Sequence, residues 1–326
     1  MSTTWEMEEY LEKAEQGDAA AQRILGDSYY FGRGTEQDFE AAVEWYKRAA
    51  EQGDAQAQCN LGACAFQGTG MAQDDAEAVK WSKMAAEQGS MDALFNLGVC
   101  SQNGSGVEQN MEAAVEYFKQ SAEQGYAPAQ CRLGDCYFNG LGTAQNYEEA
   151  ARCYRLAAEQ ADEEAQCNLG ICYYNGMGVE QSFTEAARWY ERSAKQGYAF
   201  AQCLLGFCFE VGQGVKQSYP NAVSWYRHAA EQGDPTAQNS LGDCLRRGLG
   251  VMQDKKAAFA WYQAAAMQGE ADAQFNMGLC YEAGEGVEKD RRQALTWFNH
   301  AAMQGHEKAA MRASTLRVLL GGAHGA

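Results

Sequence analysis

Proline is almost absent from this chain, with 3 residues among 326. Because proline breaks the interior of helices, this scarcity favours a mostly helical protein. Histidine is also rare, with 4 residues, and none of them lies in a cysteine or acidic pattern typical of a zinc site or a catalytic triad. The sequence therefore predicts neither a metal site nor cysteine-protease chemistry.

Positive charge is in deficit, with 26 Lys and Arg against 44 Asp and Glu and a formal net charge of -18. An acidic surface repels nucleic acids and anionic lipids, so neither is an expected partner. Two interpretations of the charge stay open. It keeps an extended molecule soluble, or it gives a preference for basic partners.

Long apolar runs are missing, since no stretch approaches the roughly 18 apolar residues that span a membrane. The first ten residues also lack the basic and apolar regions of a signal peptide. These features predict a cytoplasmic chain that does not insert into membranes. Secretion by a route without such a signal stays open.

The 12 cysteines include four pairs spaced five residues apart. Five residues on a helix correspond to a rotation of about 500°, so the two thiols of a pair point to faces about 140° apart. They cannot form a disulfide in that geometry. We interpret the cysteines as reduced, buried apolar residues, with bridging between repeats as the alternative. The pairs are Cys59/Cys64, Cys131/Cys136, Cys167/Cys172 and Cys203/Cys208.

A Leu-Gly pair recurs every 36 residues from Leu25-Gly26 to Leu241-Gly242, and Met277-Gly278 continues the series. A fixed period of this length indicates a helical repeat array. The sequence predicts an all-α solenoid of eight helix-turn-helix repeats, numbered one to eight here. Their bounds are 18–53, 54–89, 90–125, 126–161, 162–197, 198–233, 234–269 and 270–305.

Each repeat has the same local signals. In repeat two, Ala57-Gln58 opens a first helix, and the glycines Gly68 and Gly70 end it. A second helix rich in Ala and Trp follows, and Gly89 closes it. Glycine just after a helix supplies the left-handed conformation of a C-cap. We expect the recurring Trp to fill the gap between adjacent repeats, as Trp45, Trp81, Trp189, Trp225, Trp261 and Trp297.

Repeat four departs from this pattern, because Ala161 replaces its closing glycine. Alanine in the left-handed region costs roughly 1–2 kcal/mol. We therefore expect its second helix to continue further, or the joint to repeat five to differ. At the ends, residues 1–17 are predicted to form a capping half-repeat. Residues 306–326 are predicted to form a capping helix, Glu307 to Leu320, followed by a disordered tail.

Repeat five carries the full pattern, from Ala165-Gln166 through Leu169-Gly170 to Trp189-Tyr190. In these residues the chain resembles the Sel1-like repeat family, a tetratricopeptide-like group, over residues 18–305. Ordinary tetratricopeptide repeats have 34 residues and lack the Gly-x-Gly loop. The resemblance implies a right-handed α/α superhelix whose concave face is lined by first helices. It also implies a non-enzymatic adaptor that binds a protein or peptide segment there.

Two alternatives remain for the function. A host-directed scaffold that is exported from the cell would show the same repeats. A cysteine-rich subgroup of the family is linked to penicillin binding, but it pairs its cysteines at another spacing, and this chain has no Ser-x-x-Lys. No cofactor is predicted, because each Gly-x-Gly follows a helix rather than a strand.

Four positions of the first helix vary between repeats at a spacing of i, i+4, i+7 and i+11, which is one stripe along a helix. Several repeats place asparagine there, and its amide can bind the backbone of an extended peptide. Solvated polar residues without a partner are the alternative. One group comprises Asn60, Asn96, Asn168 and Asn276, and the other comprises Asn103, Asn139 and Asn175.

In repeat six the same four positions are apolar, and we call them the repeat-six stripe: Phe200, Leu204, Phe207 and Val211. An apolar stripe at mostly polar positions is a candidate contact patch. Burial by curvature and self-association are the alternatives. Arginine beside apolar residues is typical of binding hot spots. We predict that a partner with apolar anchors and an acidic group docks over repeats five to seven. Besides the stripe, the candidate residues are Asn168, Ile171, Asn175, Asp243, Arg246 and Arg247.

Overall fold

The computed structural model of the chain describes residues 4–321, and these residues form α-helices and no strands. They constitute two compact units, Met1–Asp162 and Glu163–Ala326. The helices of the first unit are α1 (Thr4–Glu15), α2 (Ala19–Phe31), α3 (Phe39–Glu51), α4 (Ala55–Gln67), α5 (Asp75–Glu87), α6 (Met91–Asn103), α7 (Met111–Glu123), α8 (Ala127–Asn139) and α9 (Tyr147–Glu159).

The second unit repeats the same order of paired helices. Its last helix ends at Gly321, one residue later than predicted, and the rest of the predicted disordered tail lies outside the described residues. The helices are α10 (Glu163–Asn175), α11 (Phe183–Gln196), α12 (Ala199–Val211), α13 (Tyr219–Glu231), α14 (Pro235–Arg247), α15 (Lys255–Met267), α16 (Ala271–Ala283), α17 (Arg291–Met303) and α18 (Glu307–Gly321).

Within each unit, consecutive helices pack against each other, and the repeats form an all-α solenoid. Local capping sets the helix boundaries. In repeat one, Asp38 accepts a hydrogen bond from the backbone N–H of Ala41 and begins α3. Gly32 ends α2 in the left-handed conformation, with φ of 65°. Caps of this kind satisfy backbone groups that a helix end otherwise leaves unpaired.

A hydrogen-bonded pair of glutamines, one buried and one exposed, explains two fixed positions of the repeat. The Gln22 side chain donates to the carbonyl oxygen of Ala14 at 2.9 Å, and Gln52 donates to Gln22 Oε1 at 2.7 Å. The same pair recurs in repeat two, where Gln88 donates to Gln58. The Gln22 amide on α2 thus joins the second helix of its own repeat, α3, to the preceding helix, α1. Buried amides need such partners, because an unpaired one costs about 1–3 kcal/mol.

The two glycines that follow each first helix have different tasks. In repeat three, Gly104 caps α6 at φ of 74°. Gly106 lies against the start of α5, where an added Cβ would overlap the carbonyl oxygen of Asp75. The second glycine therefore allows a loop to touch the backbone of the preceding repeat.

In seven of the eight repeats, the residue after the tryptophan position is a buried aromatic ring, which we call the aromatic plug. Tyr46 and Phe118 are fully buried, and an added Cβ on Gly26 or Gly98 would lie 2.5 Å from their rings. Trp45 is only half-buried and has the guanidinium of Arg48 over its ring. In repeat one the buried ring is that of the neighbouring Tyr46, for which the Leu-Gly glycine leaves room. In repeat two Trp81 itself is buried and packs in a core cluster with residues of repeat one, as expected of the tryptophan.

All twelve cysteine thiols are free and buried, as their spacing predicts. Burial raises the pKa of both Cys59 and Cys64 to about 11. These thiols stay protonated at neutral pH, which makes them poor nucleophiles. They serve as small apolar residues in the cores of the repeats.

The end of repeat four keeps the geometry of the other repeats despite its alanine. Helix α9 ends at Glu159, so the expectation of a longer helix is wrong. Ala161 has φ of 68°, and its N–H bonds to the carbonyl oxygen of Ala158 at 3.1 Å. The hydrogen bonds that close the helix stabilise this conformation by more than the strain at Ala161 costs. The folded state therefore retains that strain.

We expect Ala161→Gly to raise the free energy of unfolding by about 0.5–1 kcal/mol. Relief of the left-handed strain gives roughly 1–2 kcal/mol, and the greater freedom of glycine in the unfolded chain removes part of it. Urea unfolding followed by circular dichroism measures the change. The control Ala20→Gly, at an exposed helical alanine of the same unit, should lower stability. A lower midpoint for Ala161→Gly would contradict the strain argument.

Candidate protein-binding surface

The repeat-six stripe is exposed on one face of α12. Phe200, Phe207 and Val211 are 43%, 41% and 44% exposed, and Leu204 is half-buried. Their sequence spacing places them on one side of the helix. Burial by curvature, the alternative raised above, does not occur within the unit Glu163–Ala326. The stripe is thus an apolar surface that water reaches.

Two neighbouring residues widen this surface. Ile171 on α10 and Leu204 on α12 both pack against the core cluster that contains Tyr190 and Leu205. The ring of Tyr174 lies 6.5 Å from the ring of Phe207, edge to face. The sequence reading missed Tyr174, because in its own repeat it lies outside the variable stripe.

The Tyr174 hydroxyl donates to Gln213 Oε1 at 2.5 Å. This bond ties α10 to the loop after α12. Asn175, also on α10, is exposed and donates to the carbonyl oxygen of Ile171 at 3.0 Å. Asn168 is half-buried on the same helix. Helix α10 thus contributes an aromatic ring and two amides beside the stripe.

The three candidate polar residues of repeat seven differ in their contacts within the chain. Tyr262 donates to Asp243 Oδ1 at 2.5 Å, and Arg246 Nε donates to the Tyr262 oxygen at 3.1 Å. Burial, with the Asp243 carboxylate next, raises the pKa of Tyr262. Asp243 and Arg246 are therefore joined in an internal network. Arg247 is exposed and has no ion-pair partner among residues 4–321, so it is the cation available to a ligand.

The tyrosine and acidic residue form a recurring pair. Tyr46 donates to Asp27 at 2.8 Å, as Tyr262 does to Asp243. In repeat six, Tyr226 instead donates to Glu210 Oε2 at 2.6 Å. Glu210 lies one turn further along the first helix than the position of Asp27 and Asp243. In repeat six, Phe207 occupies that position. The 19-residue spacing between Asp and Tyr was the sequence signal for this pair.

The predicted asparagine ladder has a structural role in part. Asn60 Nδ2 donates to Asp27 Oδ1 at 3.1 Å, and Asn276 Nδ2 donates to Asn239 Oδ1 at 2.9 Å. Both bonds join the first helices of adjacent repeats. These amides thus already make hydrogen bonds within the chain. Neither a peptide-binding ladder nor solvated polar residues, the two interpretations of the asparagines given above, includes such bonds.

A polar cleft that the sequence did not predict lies between α2 and α4. Its volume is about 500 Å³, and it is lined by residues that include Asp27, Phe31 and Asn60. Phe31 is exposed, and the Arg33 guanidinium lies 4.5 Å from the centre of its ring. This first-helix face of repeat one therefore also offers an aromatic ring beside charged groups.

The sequence profile described as Sel1 repeat matches eight consecutive segments, which together cover almost all of the chain. The chain belongs to the Sel1 repeat family. The matched residues are 19–54, 55–90, 92–126, 127–162, 163–198, 199–234, 235–270 and 271–306.

Solved structures agree with this family. The protective antigen c5321 of uropathogenic Escherichia coli, which displays an SLR fold, is 37% identical with a TM-score of 0.82, covering 96% of this chain and 68% of that one. A Sel1 repeat protein from Oxalobacter formigenes is 32% identical with a TM-score of 0.67, covering 95% and 90%. No curated protein matches the chain.

Sel1 and tetratricopeptide-like repeat folds generally act as non-catalytic scaffolds for protein–protein interaction. None of the helices in residues 4–321 combines the length and the apolar character needed to cross a membrane.

Proposed function

We propose that this Sel1 repeat protein is a non-enzymatic adaptor that binds a segment of a partner protein over repeats five to seven. The observation that carries the proposal is the exposure of Phe200, Phe207 and Val211 on one face of α12. The corresponding residues of repeat seven are Thr236, Asp243 and Arg247. Exposed aromatic rings with a nearby arginine are typical of residues that dominate binding energy.

The expected partner segment has two chemical features. Apolar side chains would cover the repeat-six stripe and Ile171, which removes their apolar surface from water. A carboxylate would pair with Arg247, whose planar guanidinium binds carboxylates with two hydrogen bonds. Self-association through the stripe would instead join two copies of the chain.

The double variant Phe200→Asp with Phe207→Asp is expected to bind the partner at least about 30-fold more weakly, since two anchors of hot-spot size are lost. Both side chains are exposed, whereas Leu204 packs against the core, so this pair tests binding with less effect on folding. A pull-down from the source cell's lysate identifies the partner, and calorimetry measures its affinity.

The matched control is Met252→Asp with Met267→Asp, which adds the same charge at exposed methionines away from the stripe. It should bind like the wild type, and circular dichroism should show both variants folded. Equal binding by all three proteins would contradict the proposed surface. Light scattering of the free proteins separates partner binding from self-association, because a dimer would dissociate in the stripe variant.

A second candidate is an adaptor that is exported and acts on a host. The similarity to c5321, described as a protective antigen of uropathogenic strains, favours it. The same pull-down distinguishes the two, because a host-directed adaptor would retain a partner from host extract and none from its own cell.

A further inference from the structure

Repeat two lacks the aromatic plug that the other seven repeats have. Ser82 stands at this position and is only 2% exposed. The Leu-Gly glycine of the repeat, Gly62, faces the Ser82 hydroxyl instead of a ring. The equivalent residues are Tyr46, Phe118, Tyr154, Tyr190, Tyr226, Tyr262 and Phe298.

A cavity of about 190 Å³ lies where the ring is missing. It opens between the first helices α4 and α6, and α5 forms its far side. Most of the lining is apolar. The residues that matter for its chemistry are Ala63, Phe66, Ser82, Phe95 and Val99.

Phe66 forms an aromatic side of the cavity and has no plug ring beside it, unlike its equivalents in repeats one and four. In repeat one, the equivalent Tyr30 packs against the Tyr46 ring with centroids 6.4 Å apart. In repeat four, Phe138 and Tyr154 have the same separation of 6.4 Å. Aromatic rings in such tilted pairs attract each other beyond the effect of area alone. The geometry of repeat two therefore suits an aromatic ring supplied from outside the chain.

The cavity lacks the carboxylate that partners the phenol of repeat one. Where the plug is Tyr46, its hydroxyl donates to Asp27 at 2.8 Å. Ala63 occupies the position of Asp27 in repeat two, so that acceptor is missing. Where the plug is Phe118, the equivalent residue is the apolar Val99. The remaining partner for a phenol is Asn96, the equivalent of the Asn60 amide that hydrogen-bonds Tyr46. A hydrogen bond to a neutral amide is weaker than one to a carboxylate, whereas a phenyl ring needs no polar partner.

The size and the mouth of the cavity point to a single side chain. Sites for free small molecules usually have volumes of about 300–1,000 Å³, well above this one. Asn96 and Gln67 also line the cavity, and Gln67 is exposed. Asn96 Nδ2 makes only a long 3.8 Å contact with Cys59 Sγ. Both amides can therefore bind the backbone beside an inserted side chain.

We propose that the repeat-two cavity binds a phenylalanine side chain of a partner polypeptide. The ring takes the place of the missing plug, against Phe66 and Phe95, and the polypeptide backbone meets Asn96 and Gln67. This inference rests on the proposed function in one respect, namely that a partner polypeptide supplies the side chain. The cavity itself is separate from the repeat-six stripe.

The probe is N-acetyl-phenylalanine methylamide, titrated into the full chain and followed by ligand-observed NMR. Saturable binding is expected with Kd on the order of millimolar, which is typical of so small a ligand. The tyrosine analogue should bind more weakly than the phenylalanine probe, because its hydroxyl finds no carboxylate acceptor in the cavity. The alanine analogue should not bind. Equal binding of all three, or binding of toluene but not of the phenylalanine probe, would overturn the proposal.

Ser82→Phe fills the cavity with the plug of repeats three and eight, and should weaken the probe at least tenfold while raising the thermal midpoint. The matched control Ser82→Ala leaves the cavity open and should bind like the wild type. Ala63→Leu, copying Leu279 of repeat eight, blocks the cavity from the first helix if Ser82→Phe does not fold. Retained affinity in a folded, blocked variant would overturn the proposal.

The Phe200→Asp, Phe207→Asp variant separates this proposal from the proposed function. It should bind the probe like the wild type, because neither substituted residue lines the repeat-two cavity. Loss of the probe in this variant would place the phenylalanine on the stripe and overturn the cavity assignment. Loss of the partner with retention of the probe supports both sites.

Discussion

Gly106→Ala is expected to lower the free energy of unfolding by about 3 kcal/mol or more. The residue has φ of 68°, where alanine costs roughly 1–2 kcal/mol. Its new Cβ would also overlap the backbone carbonyl of Asp75, which cannot rotate away as a side chain can. Relieving that overlap moves the loop off the start of α5, at an overpacking cost of about 1–3 kcal/mol. Urea or guanidinium unfolding gives the difference.

Gly89→Ala is the matched control for Gly106→Ala. Gly89 has φ of 86°, and nothing lies within 4 Å of an added Cβ. The free energy of unfolding of this variant should fall only by the cost of alanine in the left-handed conformation, about 1–2 kcal/mol. Equal losses in the two variants would show that the loop does not press on the preceding repeat.

Gly98→Ala, within α6, is expected to lower the free energy of unfolding by up to about 2 kcal/mol, even though alanine is the better helix former. An added Cβ would lie 2.5 Å from Phe118 Cε1, so the fully buried ring must move. Overpacking costs about 1–3 kcal/mol, and the gain in helix propensity, about 1 kcal/mol, offsets only part of it. Thermal and chemical unfolding of the full chain measure the loss.

The same substitution one repeat earlier, Gly62→Ala, supplies the control. There the nearest atoms are Ser82 Oγ at 3.0 Å and the Ala78 carbonyl oxygen at 3.2 Å, and no ring is present. We expect a change within about 1 kcal/mol of the wild type. A loss equal to that of Gly98→Ala would mean that Gly62 is required for a reason other than the aromatic plug.

Much of the fold follows from local signals along the chain. The 36-residue period, the capping glycines and the Asp, Asn or Ser before each second helix specify where helices begin and end. The structure places those boundaries within a few residues of the pattern. The stripe on α12 was also readable, because four positions at helical spacing must share one face.

The binding surface could be read only in part. The sequence placed Asp243, Arg246 and Arg247 together as polar groups, but it could not distinguish the two that Tyr262 engages from the one left exposed. Nor could it show that Asn60 reaches the preceding helix. These bonds join residues 16 to 33 positions apart, so they depend on how helices cross rather than on local pattern.

By itself, the sequence determined the all-α repeat array, its period, its helix ends and the apolar stripe along one helix face of repeat six, because those features arise within a few consecutive turns. Only the tertiary structure showed that the phenylalanines of this stripe are exposed. Tertiary structure alone decided which aromatic residue is buried, Tyr46 rather than Trp45, and which carboxylate its hydroxyl meets. It also decided that Ser82, in place of an aromatic ring, leaves a cavity. A missing side chain leaves space only where other contacts hold the neighbouring helices apart.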